Sequence, residues 1–285
     1  MSTTTTHAAV KSQATNRRVV HRTAGRSHGP ITRVFSPGDI GQMIKPFVFL
    51  DRFDIAGNAG KLFAMHPHSG IATVTVMLSG SVGYEDSTGK SGRLDTGSVE
   101  WMNAGGGVWH TGQPVDDRSI VGLQLWVALP PELENAPASS QYLSSDDVPV
   151  VGPVRVVFGR YGNATSAVQS PASMTYLHVR LKPGERWRYE PPAGHTVAWV
   201  YANEGKLHTS NVALERELAV FNESESALEF EAEGEVEFVL GSAVKHPHTL
   251  VLGNYSVHTS AAALQEGEAG IERVAARLRA MGSLR

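Results

Sequence analysis

Ile120-Val121-Gly122-Leu123-Gln124-Leu125-Trp126-Val127 reads as a β-strand, because alternation by twos sets Val121, Leu123, Leu125 and Val127 on one face of an extended chain. Runs of the same β-rich character recur at 72–78, 154–158, 175–181, 196–201, 228–230 and 236–240. Turn signals separate them at short intervals: Ser87-Thr88-Gly89, Asp95-Thr96-Gly97, Lys182-Pro183-Gly184 and Glu233-Gly234. Many short strands joined by tight turns predict an all-β chain closed into sandwiches or barrels. With 285 residues there is room for one large or two ordinary domains.

Two stretches break the strand pattern. Residues 130–149 are rich in Pro, Ser, Glu and Asp, carry little periodicity and read as a connection between halves. Near the C-terminus Ile271, Val274, Ala275, Leu278 and Met281 recur at helical spacing with Arg273, Arg277 and Arg279 between them, so an amphipathic helix is expected to pack on the barrel.

The two halves repeat one layout. His66-Pro67-His68-Ser69-Gly70 precedes a β-run ending near Leu78-Ser79-Gly80, and Glu190-Pro191-Pro192-Ala193-Gly194 precedes a β-run ending at Tyr201. Aligning Gly70 with Gly194 sets Glu190 opposite His66 and Pro192 opposite His68. The scaffold is duplicated and the histidines are not.

Composition removes several functions. The net charge is −3 and no Lys/Arg block stands out, so direct nucleic-acid binding has no electrostatic footprint. Absence of cysteine excludes disulfides, thiolate metal sites and Cys nucleophiles, and fits a reducing cytoplasm. No apolar run approaches the ~20 residues that span a bilayer, and residues 1–16 lack the apolar core of a secretory signal and read as a tail. A cytoplasmic protein without membrane attachment is expected.

His66 and His68 are two apart on extended chain and project from one face, where both rings can reach one ion. Pro67 between them removes a ladder donor and marks a strand edge. A glycine turn at Gly105-Gly106-Gly107 then leads into a strand carrying His110. Three imidazoles can hold one face of a transition metal and leave positions open. Trp101, Met102, Trp109, Phe63 and Gln113 lie beside these ligands in sequence and are the candidates for lining an aromatic-accepting pocket, most of them also serving as core. His246-Pro247-His248 repeats the tripeptide without a second glycine-histidine element and is expected on a surface loop. His178, His195 and His208 show no ligand spacing, and His7 lies in the tail.

At these residues the chain resembles the pirin family. The resemblance is carried by Lys45-Pro46-Phe47-Val48-Phe49-Leu50-Asp51-Arg52-Phe53, by His66-Pro67-His68-Ser69-Gly70 with Thr73-Val74, by Glu100-Trp101-Met102-Asn103-Ala104-Gly105-Gly106-Gly107 and by Gly122-Leu123-Gln124-Leu125-Trp126-Val127. It covers the first half; the second half matches mainly in layout. The resemblance implies an all-β bicupin, two double-stranded β-helix (jelly-roll) barrels with a C-terminal helix. The implied division is a tail at 1–27, an N-terminal cupin with the metal site at 28–135, a linker at 136–149, a C-terminal cupin without one at 150–257, and a helical segment at 258–285. By position, His66, His68 and His110 match the family's first three ligands, and the implied ion is iron first, with nickel, copper, manganese or zinc as alternatives.

The chain departs from the family at two carboxylates. The fourth ligand, a glutamate two residues after the third histidine, is Gly112 here, and the glutamate four residues after the second histidine is Ala72. Glu100 and Gln113 are the nearest replacements, read first as a hydrogen-bonded or solvated strand residue and a loop amide. Some pirins are quercetin 2,3-dioxygenases and others are redox-responsive partners of transcriptional regulators or metabolic enzymes. The resemblance therefore implies a metal-dependent oxygenase acting on a small aromatic or enolic substrate, with a metal- or redox-sensing protein that binds a protein partner as the alternative.

Overall fold

The structure, a computed structural model, describes residues 17–57, 63–169 and 173–284, with Phe63 placed by its backbone alone. The strand Ile120–Ala128 lies in the middle of a seven-stranded sheet, antiparallel to Phe47–Ile55 on one side and Ile71–Ser79 on the other. Ile31–Phe35 and Arg26–His28 extend the sheet at one edge, Val99–Asn103 and Ser139–Leu143 at the other. A four-stranded sheet of Phe63–His68, Val108–Pro114, Ser81–Asp86 and Ser91–Asp95 closes the first barrel. Phe53, Met77 and Ile120 of the larger sheet pack with Val82 and Leu94 of the smaller.

The second half is a nine-stranded sheet built on two long strands, Val197–Thr209 and Leu228–Ala243. Met174–Leu181 pairs with one end of Leu228–Ala243 and Arg186–Tyr189 with the other, and register shifts between Ala202 and Lys206 let the long strands serve both walls of a second barrel. The fold is a bicupin followed by the helix Ala261–Ala280.

The expected alternation in 120–127 holds, and both faces are buried. Leu123, Leu125 and Val127 enter a core shared with Tyr176, Trp199 and Val239 of the second half. Trp126, on the opposite face, fills the first barrel with Phe49, Met102 and Val108. Aromatic edges knit the shared core: Trp199 meets Phe35 and Phe47 at ring distances of 5.8 and 5.5 Å, and Trp101 meets Phe158 at 4.9 Å.

One polar chain also crosses between the halves. Arg52 Nε donates to Asn203 Oδ1 (2.8 Å), Asn203 Nδ2 donates to Glu237 Oε2 (2.7 Å), and His178 Nε2 and Arg180 Nε donate to Glu237 Oε1 (2.8 and 2.7 Å). Burial pushes the Glu237 carboxyl up, but the hydrogen bonds and charges of His178 and Arg180 outweigh it and hold the group at about 2 against an ordinary 4.5. Folded protein then binds fewer protons at this site than unfolded chain. The contribution is complete above about pH 4.5 and drains as pH falls toward 2, on the order of 3 kcal/mol in all. Urea denaturation at pH 6 and pH 3 is expected to show a larger loss in wild type than in Glu237→Gln; parallel losses would place the acid sensitivity elsewhere.

The chain ends depart from the expected division. Residues 17–27, assigned to the tail, are ordered: Val19–Thr23 pairs with Leu218–Phe221 at the edge of the second sheet, and the buried Arg17 guanidinium donates to Asn222 O and Thr196 O. Residues 1–16 and His7 lie outside the described residues. The linker at 136–149 contains a strand, Ser139–Leu143, which pairs with Val99–Asn103 and belongs to the first barrel. Residues 246–257, assigned to the second barrel, return to the first: His246 is buried with Nε2 donating to Leu129 O (3.2 Å), and Ser69 bridges Ser256. A surface loop was expected for His246-Pro247-His248; Pro247 and His248 are exposed, and His246 is buried. Each end of the chain thus finishes the other half.

Candidate metal centre

Antiparallel pairing sets His110 directly across from His66, and Val108 across from His68. Residues opposite one another share a face, as do residues two apart, so all three imidazoles emerge on one side of the ribbon. Ring centres lie 4.4 Å apart for His66 and His110, 5.0 Å for His66 and His68, and 5.1 Å for His68 and His110. One nitrogen from each lies within 4.8 Å of the others.

The outer nitrogens fix which atoms face the centre. His66 Nδ1 donates to Ala64 O (2.8 Å) and His68 Nδ1 to Tyr255 O (3.1 Å). A carbonyl can only accept, so both rings carry their proton on Nδ1 and turn a bare Nε2 inward. His68 Nε2 is buried without a hydrogen-bond partner, and His66 Nε2 faces His110 Nε2 at 3.0 Å. Burial, then the neighbouring imidazole of His110, pushes His66 down to about 4 and His68 well below its ordinary value. The pair is neutral near pH 7, the state a cation requires of imidazole. Three converging imidazole nitrogens, that of His68 buried without a partner, fit a divalent ion at ~2.0–2.1 Å from each, so this group can bind a metal.

Gly112 stands beside the triad with no side chain, as the sequence foretold. Two carboxylates, the buried Glu100 and the half-buried Asp51, approach from the larger sheet instead. Glu100 accepts from Thr75 Oγ1 (2.6 Å) and lies 3.9 Å from His110 Nδ1, behind the ring. It is a hydrogen-bonded strand residue, beyond hydrogen-bond reach of His110. Asp51 accepts both Nε and Nη2 of Arg33, and burial raises its carboxyl above the usual range. Phe49, Asp51 and Phe53 alternate along one strand and all line cavities at the site. That alternation is the sequence signal for Asp51.

Of the candidate pocket residues, Trp109 points away: its Nε1 donates to Ile271 O (3.1 Å) and anchors the C-terminal helix. Met102 is wholly buried in the barrel core. Gln113 lies in the strand Val108–Pro114, and its amide donates to Thr111 Oγ1 (2.9 Å). The side chain of Phe63 lies outside the described residues. The walls come instead from Phe49, Phe53, Trp126 and Tyr255, with Tyr84 and Val82 deeper inside.

The C-terminal segment completes the site. Gly70 has φ +74°, and a Cβ there would meet Val257 O at 2.0 Å, so only glycine lets the segment lie against His68-Ser69-Gly70. A Cβ at Gly270 would meet Gly106 O at 1.7 Å, so the helix seats its backbone directly on the glycine turn that leads into His110. Among the described residues the second barrel has no such site. Its interior is packed by Trp187, Phe230 and Phe238 at ring distances of 5.4–5.7 Å. His195 is spent on Ser173 and Ser242, and the exposed His208 pairs with Glu233.

Fold and site define a bicupin with a three-imidazole centre in its first barrel. The sequence model of the pirin family matches residues 30–127. A Pseudomonas aeruginosa protein named "Putative quercetin 2,3-dioxygenase" is 32% identical over 229 residues, covering 74% of this chain and 79% of its own. A pirin-like protein of Arabidopsis thaliana is 32% identical over 222 residues, 73% of this chain and 71% of its own. The chain belongs to the pirin family. It shares its fold with the crystal structure of a quercetin 2,3-dioxygenase from Acinetobacter baumannii, at TM-score 0.84 and 24% identity over 90% of this chain and 97% of that one. Among the described residues no helix is long and apolar enough to cross a membrane.

Proposed function

We propose that the protein is a metal-dependent dioxygenase of the quercetin 2,3-dioxygenase type, opening the ring of a flavonol or similar planar enolic substrate with iron as its first-choice metal. The observation that carries this reading is the buried, partnerless Nε2 of His68 converging with those of His66 and His110. When bound, the ion supplies a Lewis acid that acidifies a substrate hydroxyl and gives dioxygen an electron path. His66, His68 and His110 hold it, and the carbonyls of Ala64 and Tyr255 fix two of the rings. Gly112 removes the family's carboxylate, so the hydroxyl proton needs another acceptor; Asp51, which borders both cavities at His66, takes that role. The name of the 32%-identical relative supports the substrate class.

Oxygen-electrode assays on protein loaded with Fe(II) or Ni(II) test the reading: quercetin-dependent oxygen uptake is expected, absent from metal-free protein. No uptake with either ion would reject it. The carboxylate lost at Gly112 favours one alternative, a metal-sensing protein that binds a regulator or enzyme; full metal occupancy without oxygen uptake, together with metal-dependent capture of a partner, would favour that instead.

A further inference from the structure

Two cavities meet at His66, and they differ in size. The inner one, inside the barrel beside Glu100 and His110, encloses ≈ 70 Å³; the outer one, open beside His68, holds ≈ 370 Å³. Asp51, His66 and Gln124 border both. A water needs about 10–15 Å³ of such space and drug-sized ligands occupy about 300–1,000 Å³. The inner cavity therefore suits a few waters or dioxygen, and only the outer one suits a ring system.

The outer groove exposes the ring of Tyr255 beside two buried aromatic rings. From the sheet come Phe49 and Trp126, stacked on one another at 4.0 Å, with the Arg33 guanidinium 4.0 Å over the Phe49 ring. Trp126 Nε1 is buried without a hydrogen-bond partner. From the C-terminal segment come Leu252 and Tyr255. Tyr255 is held at φ +63°, its ring centre lies 6.1 Å from that of His66 and 6.0 Å from that of His68, and 45% of the residue is exposed. Its carbonyl holds His68 while its ring stands at the groove.

Resting on the dioxygenase reading, we infer that the site is two-sided: a planar aromatic enol docks in the outer groove against Tyr255 and the Phe49–Trp126 pair, while the inner cavity is kept for dioxygen or water. The C-terminal segment, 125 or more residues beyond the family's matched region, is then a specificity element.

The test is binding without turnover. Full-length protein loaded with redox-inert Zn(II) is titrated with 3-hydroxyflavone, read by ligand fluorescence, with zinc content measured in parallel. Tyr255→Ala is expected to weaken binding about tenfold or more at unchanged zinc, Tyr255→Phe to bind within about twofold of wild type, and Val82→Phe, which fills the inner cavity, likewise. Should Val82→Phe fail to fold, the two Tyr255 variants still decide. No binding to wild type, or Tyr255→Ala binding as wild type does, would overturn the inference. Binding that follows Tyr255 in protein showing no oxygen uptake with Fe(II) or Ni(II) would uphold the groove and reject the dioxygenase.

Discussion

Protein carrying His110→Ala is expected to emerge from desalting with less than about a tenth of an ion per chain and to consume oxygen at the background rate. His110 Nε2 is 3.0 Å from His66 Nε2, so its removal leaves two imidazoles on one strand and no ligand opposite them. Structural zinc sites with four ligands bind with about 10–16 kcal/mol, roughly 3 kcal/mol per ligand, so loss of one lowers affinity about a hundredfold. Here the lost fraction is larger, because no carboxylate stands at Gly112 to compensate. The fold should persist, since His110 is held in its ribbon by backbone pairing with both neighbouring strands. Metal analysis with a thermal melt checks both statements; a full equivalent of metal on folded His110→Ala would dismiss the triad.

The triad was legible because strand geometry is nearly local. Period two puts His66 and His68 on one face, and a glycine turn leading into a strand is enough to suggest His110 as their partner. The same rule, applied one residue further, would have removed Trp109 from the pocket: neighbours on a strand face opposite ways, and Trp109 reaches Ile271 while His110 faces the centre. Asp51 was equally readable, as a carboxylate in phase with Phe49 and Phe53 on an otherwise apolar strand. The buried strand 120–128 could not be told from a half-exposed one, because its second face is covered by closure of the barrel.

What the sequence does not carry is long-range. Residues 246–258 have no periodicity, and their place beside His68 follows from Gly70 and Ser69 accepting them nearly two hundred residues away. Val19–Thr23 becomes a strand because the edge strand Leu218–Phe221 offers it unpaired backbone groups, a property of the folded sheet. Contacts of this kind also tie the second barrel to the site in the first. Trp199 and Val239 complete the core under Leu123 and Leu125, whose strand presents Gln124 and Trp126 to the site on its other face.

Asp51→Asn is expected to cost about 10²–10⁴-fold in kcat, the range that removal of a general base brings, while metal occupancy stays at the wild-type level. Asparagine keeps the shape and the groove wall but offers Arg33 one acceptor oxygen where aspartate offers two, so one hydrogen bond and the charge pairing are lost along with the capacity to take a proton, and the unchanged metal content and ligand binding are what separate these effects. Burial already favours the protonated form of Asp51, which brings its affinity for a proton nearer to that of an acidified enol. Arg33 opposes that shift, so the wild-type rate should rise with pH as Asp51 ionises, and this acid limb should vanish in Asp51→Asn. Zinc-loaded Asp51→Asn should bind 3-hydroxyflavone nearly as wild type does, separating proton transfer from docking. A kcat within about tenfold of wild type, at equal metal content, would show that the proton leaves by another route and that Asp51 serves only to hold Arg33 against Phe49.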